Sequence, residues 1–170
     1  NALLCYMVES GNTAFADGKM IFLSGSPELE RVGGIPTGRL SGIVNHFVPG
    51  YLRTNQLPSY ATNCIEDWET KLEKIVKETI SQNMTLISGI PPWIQMYFDW
   101  LQAKSDQKKI RELFPRLQVI VHGGVNFEPY KAKLFDSLGA PMDTIETYPA
   151  SEGFFAFQDI FFPGPTRKPR

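Results

Sequence analysis

Residues 84–101, MTLISGIPPWIQMYFDWL, are the most informative segment for the fold class, because a short apolar run there is followed by a helical period. Met84 to Ser88 shows no alternation of apolar and polar residues, which is typical of a strand buried on both faces. Gly89 to Pro92 then interrupts the chain. The large apolar residues that follow recur at helical spacing: Trp93, Met96, Tyr97, Trp100 and Leu101. The segment predicts a strand, a tight loop and a helix.

The same order returns further along the chain. Leu117 to Val121 is a second apolar run, and Gly123-Gly124 is a second loop. A second helical stripe follows at Phe127, Tyr130, Leu134 and Leu138. Met142 to Tyr148 predicts a third strand. Strands that alternate with helices in this way indicate βαβ units, whose crossovers are almost always right-handed. We therefore predict an α/β, three-layer fold with a mainly parallel sheet flanked by helices.

The rest of the chain divides into segments that differ in their pattern of apolar residues, Gly and Pro. Residues 1–62 mix short apolar runs with frequent Gly and Pro, and we interpret them as an irregular strand and loop portion of the same domain. Residues 63–159 form the βαβ-rich core. Their first helix spans Trp68 to Ile80, and Asn63 with Glu66 is expected to cap it. Residues 160–170 are interpreted as a tail.

Composition narrows the function classes. The chain has 170 residues, is 42% hydrophobic and carries 17 basic against 18 acidic residues, with neither sign gathered in a block. A nucleic-acid partner is therefore not expected, and no apolar run is long enough to predict a membrane span. Two cysteines and two histidines make a zinc site improbable. No secretion signal opens the chain, so we expect a cytoplasmic protein.

The predicted topology already points to a site, because parallel strands end at one edge of the sheet and ligands bind at that edge. The three loops expected there are Ser88–Trp93, His122–Asn126 and Tyr148–Gly153. They are rich in Gly, Pro and small polar residues, so their backbone can approach a ligand closely. His122-Gly123-Gly124 alone also permits an esterase oxyanion loop, but no G-x-S-x-G nucleophile motif accompanies it.

The third of these loops carries the most chemistry. Tyr148 is able to stack on a base, Ser151 to donate a hydrogen bond to a phosphate oxygen, and Glu152 to hold Mg²⁺ through its carboxylate. The alternative is a plain turn with a buried Tyr148 and a solvated Glu152. The residues alone leave both interpretations open.

Tyr148-Pro149-Ala150-Ser151-Glu152 resembles the aromatic-small-small-Ser/Thr-Glu motif of the adenylate-forming superfamily, to which acyl-CoA ligases and luciferases belong. The chain is more closely similar to the auxin-responsive acyl acid-amido synthetase family. Four segments match that family in order and approximate spacing: Leu113–Leu117, Val121–Gly124, Glu128–Tyr130 and Tyr148–Gly153. The resemblance covers residues 18–159, and its specific part covers residues 90–159.

The resemblance implies an ATP-dependent ligase that uses Mg²⁺. Such an enzyme converts a small carboxylic acid to an acyl-adenylate and passes the acyl group to an amine or amino acid. By the same resemblance, Tyr148 contacts adenine, Ser151 lies near the α-phosphate, and Glu152 carries the metal or positions the pyrophosphate; Ser151 and Glu152 are the expected catalytic residues. The backbone expected to hold the adenosine comprises Gly123, Gly124, Val125, Thr147, Pro149 and Ala150. Trp93 and His122 are expected to face the acyl group.

The chain also departs from the family pattern. No Ser/Thr/Gly-rich triphosphate loop precedes the matching region, no ribose-binding Asp or closing domain follows it, and Pro149 replaces the usual Gly. We therefore expect an internal fragment of a large N-terminal domain that is inactive alone and associates with itself through exposed sheet edges. The alternatives are a non-catalytic binding module of the same fold and an unrelated α/β domain whose motif is a coincidental turn, which non-parallel strands would reveal.

Overall fold

A computed structural model describes residues 2–38, 42, 53–150 and 153–159. The strands are β1 (Lys19–Phe22), β2 (Glu30–Val32), β3 (Ile35–Thr37), β4 (Gln56–Leu57), β5 (Met84–Gly89), β6 (Val119–Gly123), β7 (Asp143–Ala150) and β8 (Gly153–Phe157). The helices are α1 (Ala2–Ser10), α2 (Tyr60–Asn63), α3 (Trp68–Thr79), α4 (Pro91–Lys104), α5 (Ile110–Leu113) and α6 (Glu128–Leu138), with a 3-10 turn at Ala14–Asp17.

Six strands form one sheet in the order β4-β1-β5-β6-β7-β8. Neighbouring strands from β4 through β7 are parallel, and β8 returns antiparallel to β7. Strands β2 and β3 form a separate antiparallel hairpin. The prediction of an α/β fold with a mainly parallel sheet is confirmed. Because β5, β6 and β7 run in one direction, the alternative of non-parallel strands is wrong.

Helices cover both faces of the sheet. On one face, α3, α4 and α6 bury a large cluster that includes Leu72, Tyr97 and Leu134. On the opposite face, α1 and the 3-10 turn contribute Tyr6 and Phe15 to a smaller cluster. The strands supply both clusters through the alternation of their side chains: Ile120 of β6 faces the large cluster, while Val119 and Val121 face the small one.

Local sequence signals explain where the central helices begin and end. Helix α4 begins at Pro91, whose fixed φ and missing N–H suit the first turn of a helix. Helix α6 ends at Gly139, whose φ of +89° is the left-handed conformation that glycine adopts readily. Both ends lie close to where the sequence predicts them, and both helices return the chain to the start of the next parallel strand.

Three sequence-based expectations need correction. The cap of α3 is Asp67, whose carboxylate accepts a hydrogen bond from the Thr70 N–H at 2.9 Å, and not the Asn63–Glu66 pair. Strands and loops are expected for residues 1–62, whereas Ala2–Ser10 form helix α1. The expected loop at Tyr148–Gly153 begins as strand, because β7 continues to Ala150 and its last residues pair with β8 across a bulge.

Candidate functional site

A cavity of about 820 Å³ opens at the carboxyl edge of the parallel sheet. Its floor comes from the ends of β1, β5 and β6, and its sides come from the β4–α2 segment and the first turn of α4. The apolar part of the wall comprises Phe22, Leu23, Leu57, Ile90, Trp93 and Val121. The cavity therefore lies at the edge that the predicted topology marks, and residues of all three predicted loops contribute to it.

The strand ends at this edge approach each other closely at Gly123. A Cβ atom at that position would overlap the Thr147 carbonyl oxygen on β7, so only glycine fits there. Gly124, the next residue, has a φ of +81°, which also favours glycine. The Thr147 hydroxyl donates a hydrogen bond to the His122 carbonyl oxygen at 3.0 Å. These contacts fix the backbone between β6 and β7, where the cavity wall is formed.

His122 is the last but one residue of β6 and lies in the cavity wall with only 3% of its surface exposed. Its imidazole stacks on Phe127 with ring centroids 4.0 Å apart. Burial against this apolar surface lowers the pKa of His122 to about 4, so the ring is neutral near pH 7. Its Nδ1 atom is buried and has no hydrogen-bond partner among the described residues.

Asn63 is a second buried polar residue in the wall, also 3% exposed. Its main-chain carbonyl oxygen accepts a hydrogen bond from the buried Lys71 ammonium at 2.7 Å, and the same ammonium donates to the Ser24 carbonyl oxygen at 2.9 Å. Lys71 thus ties two walls of the cavity to α3. The side-chain Oδ1 of Asn63 is buried and finds no partner within the described part of the chain.

Trp93 lies in the first turn of α4 and faces the cavity. Its ring packs against Trp68 of α3, with centroids 4.8 Å apart. This contact holds the indole in a fixed orientation, because both helices are anchored in the core. Arg53 lines the other side and is the one permanently charged residue among the described residues of the wall.

A shallower recess of about 570 Å³, called the groove below, adjoins the cavity. It lies between the loop after β6 and the β7–β8 hairpin, and Gly124, Val125 and Thr147 line it. Tyr148 lies along its side with 62% of its surface exposed, and its ring centroid is 5.8 Å from that of Phe155. Gly124 and Thr147 line both the cavity and this groove, so the two recesses meet at these residues.

The structure therefore brings most of the predicted site residues to one edge, in two groups. Trp93, His122, Gly123 and Pro149 line the cavity, and Val125 and Tyr148 line the groove. Ala150 ends β7 and lines neither recess. The interpretation of Tyr148 as a buried turn residue is wrong, because its ring is exposed. Ser151 and Glu152 lie outside the described residues, as does the tail at 160–170.

Sequence reasoning missed three residues at this edge. The sequence predicts Asn63 only as a helix cap, and Arg53 lies in the portion without a clear period. Glu146 lies on a predicted strand and lines the groove, where the sequence predicts no role for it. No motif marks any of them. A signal for Glu146 existed in principle, because its position one residue before Thr147 places it at the carboxyl end of a parallel strand.

No group of three metal-type side chains among the described residues lies close enough together to bind an ion. Within the same residues, no helix combines the length and apolar character needed to span a bilayer.

Comparison with known proteins gives the family. The sequence model of the GH3 family N-terminal domain matches residues 37–141, more than half of the chain. The comparison with curated proteins found no match. The matched region contains β4 to β6, the helices between them and α6, so it includes most of the cavity wall. The match covers a chain whose fold is mainly parallel α/β, with its cavity at the carboxyl edge of the sheet. Because the match extends over more than half of the residues, the chain belongs to the GH3 family, the auxin-responsive acyl acid-amido synthetases.

Proposed function

We propose that the two adjoining recesses are the acyl-adenylate site of an ATP-dependent acyl acid-amido synthetase. In the proposed reaction, an oxygen of a carboxylic acid attacks the α-phosphorus of ATP and pyrophosphate leaves. An amine then attacks the acyl carbon, an amide bond forms and AMP leaves. The observation that carries this proposal is the junction at Gly124 and Thr147, where an apolar-walled cavity meets a groove flanked by an exposed tyrosine.

The acid fits the cavity by its chemistry. The apolar walls, closed on one side by the Trp93 ring, suit a hydrocarbon or aromatic body. Arg53 contributes a positive charge to the wall, which is the sign that suits an anionic ligand. We infer that this charge attracts the carboxylate and that the apolar walls retain the rest of the molecule.

The adenosine fits the groove. Tyr148 presents an aromatic face on which a base can stack, and the backbone at Gly124 and Val125 is exposed beside it. The carboxylate of Glu146 and the amide of Asn126 also line the groove, and both can hydrogen bond to ribose hydroxyls. With the acid in the cavity and the nucleoside in the groove, the reacting carboxylate and phosphate meet at the junction.

The family resemblance adds two residues and a metal to this proposal. Ser151 is proposed to hydrogen bond near the α-phosphate, and Glu152 to carry Mg²⁺, which prefers carboxylate oxygen ligands. Bound Mg²⁺ would neutralise charge that develops on the pyrophosphate as it leaves. The described residues contribute the orientation of the two reactants, which lowers the entropic part of the barrier.

The test is direct binding of a non-hydrolysable acyl-sulfamoyl adenosine, measured by calorimetry with the full chain. We expect saturable binding that Tyr148→Ala weakens about tenfold or more, because stacking on the base is lost. Phe154→Ala is the matched control, since Phe154 is an exposed aromatic residue on the adjacent strand that lines neither recess. If the folded chain binds no adenylate, the proposal fails and a non-catalytic interaction role becomes the better one.

A further inference from the structure

We propose that Trp93 limits the length of the acid that the cavity accepts, because its ring separates the cavity from a further pocket at the same edge of the sheet. This inference rests on the proposed function and adds a specificity determinant to it. Trp93 contacts the part of the acid that does not react. An acid with a compact body ends at the indole ring, whereas an acid with a long chain has to displace it.

The further pocket has a volume of about 1080 Å³ and is called the side pocket below. It is formed by the loop after β1, the β2–β3 hairpin and the α2–α3 region. Gly25, Tyr60 and Trp93 line both the cavity and the side pocket. These three residues therefore form the boundary between the two spaces.

The order of the strands fixes where this boundary lies relative to the reacting groups. The groove is built on β6, β7 and β8, and it meets the cavity at Gly124 and Thr147. The boundary residues follow β1, β4 and β5, which lie on the other side of β6 in the sheet. Trp93 follows β5 and Thr147 lies on β7, two strands further along, so these strands are about 10 Å apart. An acid whose carboxylate reacts at the junction thus directs its distal end towards Trp93.

Trp93 is the boundary residue whose side chain is both large and held in place. Gly25 has no side chain, and Tyr60 exposes 52% of its surface. Side chains of a helix tilt towards its N-terminus, and α4 begins at the carboxyl edge of the sheet, so the indole extends over this edge. There the ring packs on Trp68, a residue of the side pocket, with centroids 4.8 Å apart. A long acid would have to break this contact to pass.

The experiment measures the binding of acyl-sulfamoyl adenosines with butanoyl, hexanoyl, octanoyl, decanoyl and dodecanoyl groups, by calorimetry on the full chain. Each methylene that is buried in the cavity should raise the affinity about fourfold. In the unmodified chain we expect the affinity to pass through a maximum and to fall about tenfold or more by the dodecanoyl compound, because the chain then overpacks against the ring.

Trp93→Ala removes the ring and joins the cavity to the side pocket. The maximum should move to a longer compound, and the dodecanoyl compound should bind about tenfold or more tightly than it binds to the unmodified chain. Trp93→Leu retains an apolar side chain at the boundary and should move the maximum in the same direction by a smaller amount. Circular dichroism confirms that each variant is folded.

Ile90→Ala is the control. Ile90 lies in the same loop and lines the cavity, but it is not among the residues that line the side pocket. Its Cγ2 atom lies 3.1 Å from the place that a Cβ atom at Gly124 would take, so this variant enlarges the cavity near the junction and leaves the boundary intact. The length at the maximum should therefore match that of the unmodified chain.

Three results overturn the inference and leave the proposed function standing. The first is an affinity that still rises at the dodecanoyl compound in the unmodified chain, and the second is a maximum at the same length in the folded Trp93 variants. The third is an equal shift in Ile90→Ala, which would show that the volume of the cavity sets the limit and not the boundary. If the folded chain binds none of the compounds, both proposals fail.

Discussion

His122 illustrates how one residue is shaped by its position in the fold. A histidine at the end of a central parallel strand is covered by the helix that follows, here through Phe127, and loses contact with water. Desolvation penalises the charged imidazolium, which explains why the pKa falls to about 4. The residue is thus a neutral hydrogen-bonding group near pH 7. Its low pKa also makes it a weak base, so it is poorly suited to accept a proton as a general base.

The lowered pKa predicts how stability depends on pH. The unfolded chain protonates His122 near pH 6.5 and the folded chain only near pH 4, so between these values the unfolded state binds more protons. The free energy of unfolding should therefore fall as pH decreases through this window and stop falling, for this group, below about pH 4. Between about pH 7.5 and about pH 5 the expected loss is about 2 kcal/mol.

Urea unfolding at these two pH values measures this loss. His122→Phe should remove the His122 contribution, so the variant should lose about 2 kcal/mol less than the original chain over the same interval. Other titrating groups affect both proteins equally and cancel in the comparison. An identical pH dependence in the two proteins would contradict the prediction.

Gly123 and Gly124 show how far a single residue type can be interpreted from sequence. The adjacent glycines indicate close backbone approach, and the structure agrees, but the two positions need glycine for different reasons. Gly123 is required because Thr147 of the neighbouring strand leaves no room for a Cβ atom. Gly124 is favoured because its φ is positive. The first reason depends on a strand 24 residues away in sequence, which spacing alone does not reveal.

At the scale of elements, α3 supports the cavity without lining its main wall. The helix begins at its cap, Asp67, and one turn later presents Lys71, whose ammonium holds the carbonyl oxygens of Ser24 and Asn63. The hydrogen bond from Thr70 also lowers the pKa of the Asp67 carboxyl group. The start of this helix therefore sets the position of two segments of the cavity wall.

We predict that Asp67→Ala lowers the melting temperature of the chain by a few degrees, because the Thr70 N–H then lacks its capping partner. Asp67→Asn should retain most of the stability, since asparagine is also a good cap. Glu66→Ala tests the alternative cap expected from the sequence pattern and should leave the melting temperature nearly unchanged. Thermal unfolding followed by circular dichroism gives all three values. A loss in Glu66→Ala that equals the loss in Asp67→Ala would contradict the assignment of the cap.

Helices and strands with a clear hydrophobic pattern were predictable from sequence, and those without such a pattern were not. Strands β5 and β6 and helices α3, α4 and α6 follow from the hydrophobic pattern, because each buries a continuous face in the same core. Strand β8 is absent from the sequence prediction, which places a loop at Tyr148–Gly153 and no strand after it. The chain accommodates Pro149 at a bulge beside the last strand of the sheet.

In the molecule as a whole, the parallel sheet explains why the position of the candidate site was predictable from sequence although several of its residues were not. Topology alone brings Trp93, His122 and Thr147 to one edge, because their strands or the loops after them end there. Asn63 and Arg53 reach the same cavity from the β4–α2 region, whose path is set by tertiary contacts and not by a local pattern. The division into a cavity and a groove likewise depends on the β7–β8 hairpin, which the sequence did not predict.

The distribution of exposed aromatic residues carries the last prediction, self-association. Strand β8 is the last strand of the sheet among those described, and it exposes 56% of Phe154 and 60% of Phe155. Edge strands with apolar side chains tend to pair with a second copy, and charged residues prevent such pairing. We therefore expect a dimer or larger species in light scattering, and a shift towards monomer in Phe154→Lys. Val32→Lys introduces the same charge at an exposed apolar residue of β2, which belongs to a separate hairpin and not to the sheet that ends in β8, and should leave the association intact. A monomer at all concentrations in the unmodified chain would show that β8 is shielded from pairing.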